Sequence, residues 1–162
     1  MNKRGLTLLE VLISILIISS AIVVMFTVYP NLFEGVNLSL QKMQAWEIVK
    51  RQIETLKSTD FATLFAVSYD PLGGVPIANG FVTAGLANSR GVFYVERMRD
   101  AGGSVLTDLL NLEVVVCFRV GRRIIGEDQD LDGVLDSGED QNNDNKISSP
   151  VTLRTLMLKP VS

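Results

Sequence analysis

From Val11 to Phe33 the chain carries no charged residue, and this run constrains what it can fold into more than any other feature. Within it, Val11 to Tyr29 reads VLISILIISSAIVVMFTVY. As a helix rising about 1.5 Å per residue, the stretch is long enough to cross a hydrocarbon core of about 30 Å. Lys3 and Arg4 precede it. The positive-inside tendency keeps them cytoplasmic and sends the rest of the chain across the membrane. A total of 162 residues then leaves room for one small domain behind the anchor.

Two ordinary readings of such a start are a cleaved secretory signal, with Ser19-Ser20-Ala21 as its small-residue cut site, and a plain signal anchor. Neither accounts for Glu10. An ionised acid costs roughly 2.5 to 3.5 kcal/mol at the centre of a spanning helix, somewhat less near its edge, so it implies a partner and a function. Composition narrows the function further. There is no histidine and one cysteine, Cys117, which excludes the commonest general base, His/Cys zinc sites, Ser-His-Asp and Cys-His arrangements and any intrachain disulfide. A net charge of -3 without a basic stripe argues against nucleic acid as a partner.

Lys3-Arg4-Gly5 followed by Leu6-Thr7-Leu8-Leu9-Glu10-Val11-Leu12 resembles the class III signal of type IV pilins and type II secretion pseudopilins. The resemblance implies that prepilin peptidase cuts between Gly5 and Leu6 and methylates the new amine of Leu6. It makes Glu10 the family's glutamate, five residues into the mature chain, positioned to pair with the N-terminal amine of a neighbouring subunit. Such a cut leaves the apolar helix on the mature protein, whereas a secretory cut discards it. Two features depart from the usual pattern: the mature end is Leu rather than Phe, and the first proline is Pro30, later than the kink proline of major pilins.

Beyond Pro30, Val36, Leu40, Met43, Val49, Ile53 and Leu56 recur at helical steps with Trp46 filling one gap, and charged residues occupy other positions to about Ser58. This predicts an amphipathic helix with Met43 and Trp46 in the core. Residues 60–90 are rich in turn formers and predict an irregular connection with one short strand near Phe81 to Thr83. Strands are expected at Val92 to Met98, at Leu112 to Val120 with Glu113, Cys117 and Arg119 on the less apolar face, at Arg123 to Ile125, and at Val151 to Lys159. Cys117 reads as a buried structural thiol. The fold class is α+β, a long N-terminal helix packed on a small antiparallel sheet. That layout is also what the resemblance implies, most like minor pilins and pseudopilins of the PilV or GspI type. The expected organisation is a leader at 1–5, a transmembrane and assembly helix at 6–30, and a globular domain at 31–162.

One loop carries chemistry. Counted from Asp128, acids stand at positions 1, 3, 5, 9 and 12 as Asp128, Asp130, Asp132, Asp136 and Glu139, with Gly133 at 6 and Leu135 at 8. This matches the twelve-residue calcium loop of EF-hands. A hard cation of that size takes six to eight oxygens at about 2.3 to 2.6 Å, and alternate residues of a curled loop turn their carboxylates inward. Gly133 allows the turn, the Val134 carbonyl supplies a backbone oxygen and Glu139 closes the site. Leu135 points into the domain and pins the loop. Eight acids between Glu127 and Asp144 repel one another without a cation, so a merely solvated acidic loop fits poorly. A strand, not a helix, precedes the loop, which argues for a structural site rather than a sensor. A degraded copy follows with Asp140, Asn142, Asp144, Asn145 in the glycine place and Ile147 at position 8. Its twelfth residue is Val151, which has no side-chain oxygen. It either binds a second calcium weakly or lends Asp140, Asn142 or Asp144 to the first.

The expectation is a non-enzymatic structural subunit of a type IV pilus or a secretion pseudopilus. Calcium stabilises it, and its partners are prepilin peptidase, other pilins or pseudopilins and the bacterial inner membrane, with the C-terminal domain in the periplasm. The alternative is a membrane-anchored calcium-dependent adhesin or binding module, in which the anchor only tethers.

Overall fold

The helix that begins in the apolar run does not stop at its end. The computed structural model describes residues 8–72 and 74–160, without the side chains of residues 27–34. In it, α1 (Leu8–Ser58) is continuous. The chain divides at Leu38 and Ser39 into two compact units. In the first, Leu8–Phe26 is long and apolar enough to cross a membrane, and none of it is buried within the protein. The Ser14, Ser19 and Ser20 hydroxyls donate to the carbonyls of Glu10 (2.7 Å), Ile15 (2.6 Å) and Ile17 (2.8 Å). The hydroxyls in this stretch are therefore satisfied within the helix, as a hydrocarbon environment requires.

In the second unit α1 buries Ala45, Ile48, Val49, Ile53 and Leu56. Val36, Leu40, Met43 and Trp46, expected in that core, are exposed. The reason is angular. At 100° per residue, the row through Val36, Leu40 and Met43 continues to Glu47, Lys50 and Glu54, not to Val49. Trp46 lies between two different faces, and joining them through it merges two separate stripes. A second helix, α2 (Phe61–Ala66), follows at once, capped by Asp60, whose carboxylate accepts from the Thr63 amide at 3.2 Å. It buries Phe61 and Leu64, in a segment expected to be irregular.

The sheet comprises β1 (Asn79–Phe81), β2 (Ser89–Arg99), β3 (Val105–Val120), β4 (Arg123–Ile125) and β5 (Thr152–Leu158), all paired antiparallel. β3 is its axis. One edge pairs with β2, for example Val115 with Val92. The other pairs with β5 through Val115 and Thr152 and, further along, with β4 through Phe118 and Ile125. β4 and β5 thus share one edge of β3, and residues 126–151 run between them.

The register places Val92, Tyr94, Val115 and Cys117 on one face and Phe93, Val95, Val114 and Val116 on the other. Cys117 is buried as expected, and so is Glu113 on the same, less apolar face; β3 is inaccessible on both faces from Leu112 to Phe118. The segment between β4 and β5 covers the first face: Ile147, with Leu131 and Leu135 beside it, packs on Tyr69, Val92, Tyr94, Val115 and Cys117. On the second face Val95, Val114 and Val116 are removed from water, as is the apolar stripe of α1. The result is an α+β domain, helix then antiparallel sheet, consistent with a pilin-like fold. Cys117 is a free thiol, and burial pushes its pKa up to about 11, leaving it a packing group.

Candidate metal centre

At the end of β4 the chain turns sharply at Gly126, whose φ is +117°. A Cβ there would lie 2.3 Å from the Cys117 sulfur, so backbone angle and space both require glycine. Two residues later Asp128 is fully buried. Its two oxygens accept the amides of Asp132 (3.1 Å) and Gly133 (3.0 Å). Asp130 accepts from the Asp132 amide at 3.2 Å and Asp132 from the Val134 amide at 2.7 Å. Left-handed residues Leu131 (φ +64°) and Gly133 (φ +84°) close the coil. Glu139 then bridges it, one oxygen accepting from the Gln129 amide at 2.7 Å and the other from the Asp136 amide at 3.1 Å.

This coil brings the five expected carboxylates together. Oxygens of Asp128, Asp130 and Glu139 lie within 4.8 Å of one another, as do those of Asp130, Asp132 and Asp136. Val134 turns a 55% exposed side chain away, leaving the carbonyl as its only donor. Burial, with the neighbouring Glu139 adding to it, pushes the Asp128 pKa up to about 6 against the amides that lower it. The donor set is all oxygen, five carboxylates and one backbone carbonyl. It fits a hard divalent cation.

The next twelve residues repeat the coil. Asp140 accepts the amides of Asp144 (3.1 Å) and Asn145 (3.0 Å), Asn142 that of Asp144 (3.0 Å), and Asp144 that of Lys146 (2.8 Å). Asn143 and Asn145, both at φ +58°, take the left-handed places of Leu131 and Gly133. Ile147 takes the place of Leu135 and is buried. Val151 offers no side-chain oxygen, but another residue stands where a twelfth ligand belongs. Glu127 accepts the Gln141 amide at 3.3 Å on one oxygen and the Ser148 amide at 2.9 Å on the other. Gln141 and Ser148 are the second and ninth residues of their coil, as Gln129 and Asp136 are of theirs. Glu127 therefore clasps the second coil as Glu139 clasps the first.

Sequence reasoning missed Glu127, although a signal was present: Glu127-Asp128-Gln129 recurs as Glu139-Asp140-Gln141, twelve residues on. The second coil has only Asp140 and Asp144 as carboxylates of its own. The close triads found among the described residues belong to the first coil.

The second coil is also tied to the sheet. Lys146 Nζ reaches Glu113 (3.5 Å) and Glu96 (3.8 Å) and lies over the rings of Tyr69 and Tyr94. The Ile147 amide donates to the Tyr94 hydroxyl at 2.8 Å. At the opposite end of the sequence, Glu10 sits in the first turn of α1, where the helix dipole favours a carboxylate. The cleavage position at Gly5 and Leu6, with Lys3 and Arg4, lies outside the described residues.

Residues 1–26 match the prokaryotic N-terminal methylation motif. No curated protein and no solved structure matches the chain at a significant level. The match overlaps the exposed apolar segment Leu8–Phe26. It supports a precursor of the type IV pilin type, a structural protein with a single-pass N-terminal anchor, processed by prepilin peptidase and assembling with other pilins.

Proposed function

We propose that this chain is a minor pilin or pseudopilin. Prepilin peptidase cuts it after Gly5 and methylates Leu6. It stays in the inner membrane with its C-terminal domain in the periplasm until it enters a type IV pilus or a secretion pseudopilus. The observation that carries this reading is the coincidence of the methylation motif over residues 1–26 with a helix exposing all of Leu8–Phe26. The exposed Leu40, Met43 and Trp46 further along α1 support helix packing between subunits. The Glu10 carboxylate pairs with a neighbour's methylated amine and sets the axial register of the packed helices. Mass spectrometry of the mature chain tests the cut: an N-terminus at Met1 or after Ala21 contradicts it. Glu10→Ala abolishes assembly under this reading, whereas an anchored calcium-dependent adhesin keeps its function.

Calcium is part of the same proposal. Asp128, Asp130, Asp132, Asp136, Glu139 and the Val134 carbonyl hold one ion. Glu127, Asp140, Asn142 and Asp144 hold a second, weaker one. The ion supplies charge neutralisation and cross-linking of the coil, not reaction chemistry. Thermal melts test it. Calcium raises the melting temperature and protects residues 126–150 from proteolysis, and magnesium, smaller and octahedral, does so far less. Identical melts in calcium and in chelator remove the calcium reading and leave the pilin reading intact.

A further inference from the structure

We propose that Lys146 couples cation occupancy of the acidic coils to the docking of the last strand, β5, acting as a positioning residue and not as a ligand. The inference rests on the calcium reading above and adds a consequence to it. Lys146 belongs to the second coil by its backbone, since its amide is held by Asp144 at 2.8 Å. Its side chain leaves the coil and is only 15% exposed, with the ammonium between Glu96 and Glu113. Glu113 is the junction. Its side chain is 6% exposed, and its two oxygens serve two different elements: one takes Lys146 at 3.5 Å, the other takes Arg154 Nε of β5 at 2.7 Å. Glu113 and Arg154 are also direct cross-strand neighbours.

A buried carboxylate stripped of one cationic partner is left poorly compensated. Arg154 links Glu113 to β5, but with a side chain 62% exposed it compensates the buried carboxylate only in part. Among the described residues β5 pairs only with β3, so the face around Glu113 is a large part of what fixes its first half. Without a cation, Glu127, Asp140 and Asp144 repel one another, the coil loosens and Lys146 withdraws from Glu113. With the cation, the coil tightens, Lys146 settles over Tyr69 and Tyr94, and β5 is clamped. No ion pair of this kind ties the first coil to the sheet among the described residues; Leu131 and Leu135 rest on it by apolar contact.

Hydrogen exchange on the full chain in detergent micelles, read separately over 128–146 and 152–158, tests the coupling. In the wild type, calcium in place of chelator slows exchange in both segments by about tenfold or more. In Lys146→Met, and independently in Arg154→Met, the coil still responds while the β5 response is lost. Lys146→Arg restores it. The coupling is overturned if β5 exchanges alike with and without calcium while the coil responds, or if Lys146→Met keeps the wild-type β5 response. A coil indifferent to calcium refutes the calcium reading itself, and the coupling with it.

Discussion

Gly126 is the residue on which the route into the coils depends. Both a positive φ and the Cys117 sulfur, 2.3 Å from where a Cβ would sit, oppose any side chain there. Gly126→Ala is expected to cost roughly 2 to 5 kcal/mol, combining backbone strain with overpacking, as a denaturant titration would measure. Asp128 makes the cation-free domain sensitive to pH. Its pKa in the fold, about 6, is above the ordinary 3.8, so the folded state holds a proton that the unfolded chain releases. Its contribution is most favourable below about pH 4 and is lost as pH rises through about 6. Melts in chelator should show this slope and Asp128→Asn should remove it. Calcium takes the deprotonated form, so its increment in melting temperature should be larger at pH 7 than at pH 5. The residues of the first coil were legible because all its ligands fall within twelve consecutive positions. Glu127 was not, because its partners are 14 and 21 residues away in sequence.

At the level of elements, α1 has two apolar stripes with different duties. Ile53→Ala, on the buried stripe, should destabilise the domain by about 2 to 4 kcal/mol in a denaturant melt, while Met43→Ala should change it by less than about 0.5 kcal/mol. Reversed magnitudes would show that the faces have been assigned wrongly. Periodicity located the helix but could not say which stripe meets the sheet, since that depends on where the sheet lies. β4 was readable to the residue. β3 begins earlier than its alternation suggested, at Val105, because β2 holds Val105 opposite Arg99 and Asn111 opposite Glu96, and β5 holds Asn111 opposite Leu156. α2 escaped notice because six residues are too few to show a period; its cap at Asp60 was the readable mark.

For the whole molecule, the N-terminal motif and the α+β layout were legible because local spacing encodes both. The covering of the sheet by residues 126–151 was not, because it depends on β4 and β5 sharing one edge of β3. That arrangement gathers charge. Residues 127–146 hold eight acids and one lysine in a chain of net charge -3. Under the proposed cut after Gly5, removal of Lys3 and Arg4 with the leader takes the mature chain to -5, and each bound divalent cation returns two charges. Native electrophoresis of the mature protein in neutral detergent should therefore show slower migration toward the anode in calcium than in chelator. Under the proposed reading each copy carries this acidic lobe into the filament beside neighbouring subunits, where its charge is screened over only about 8 Å in physiological salt. Ionic conditions around the filament then act on how firmly the lobe is held against its neighbours: chelator at low salt should promote loss of this subunit from isolated filaments, and either calcium or added salt should reverse it.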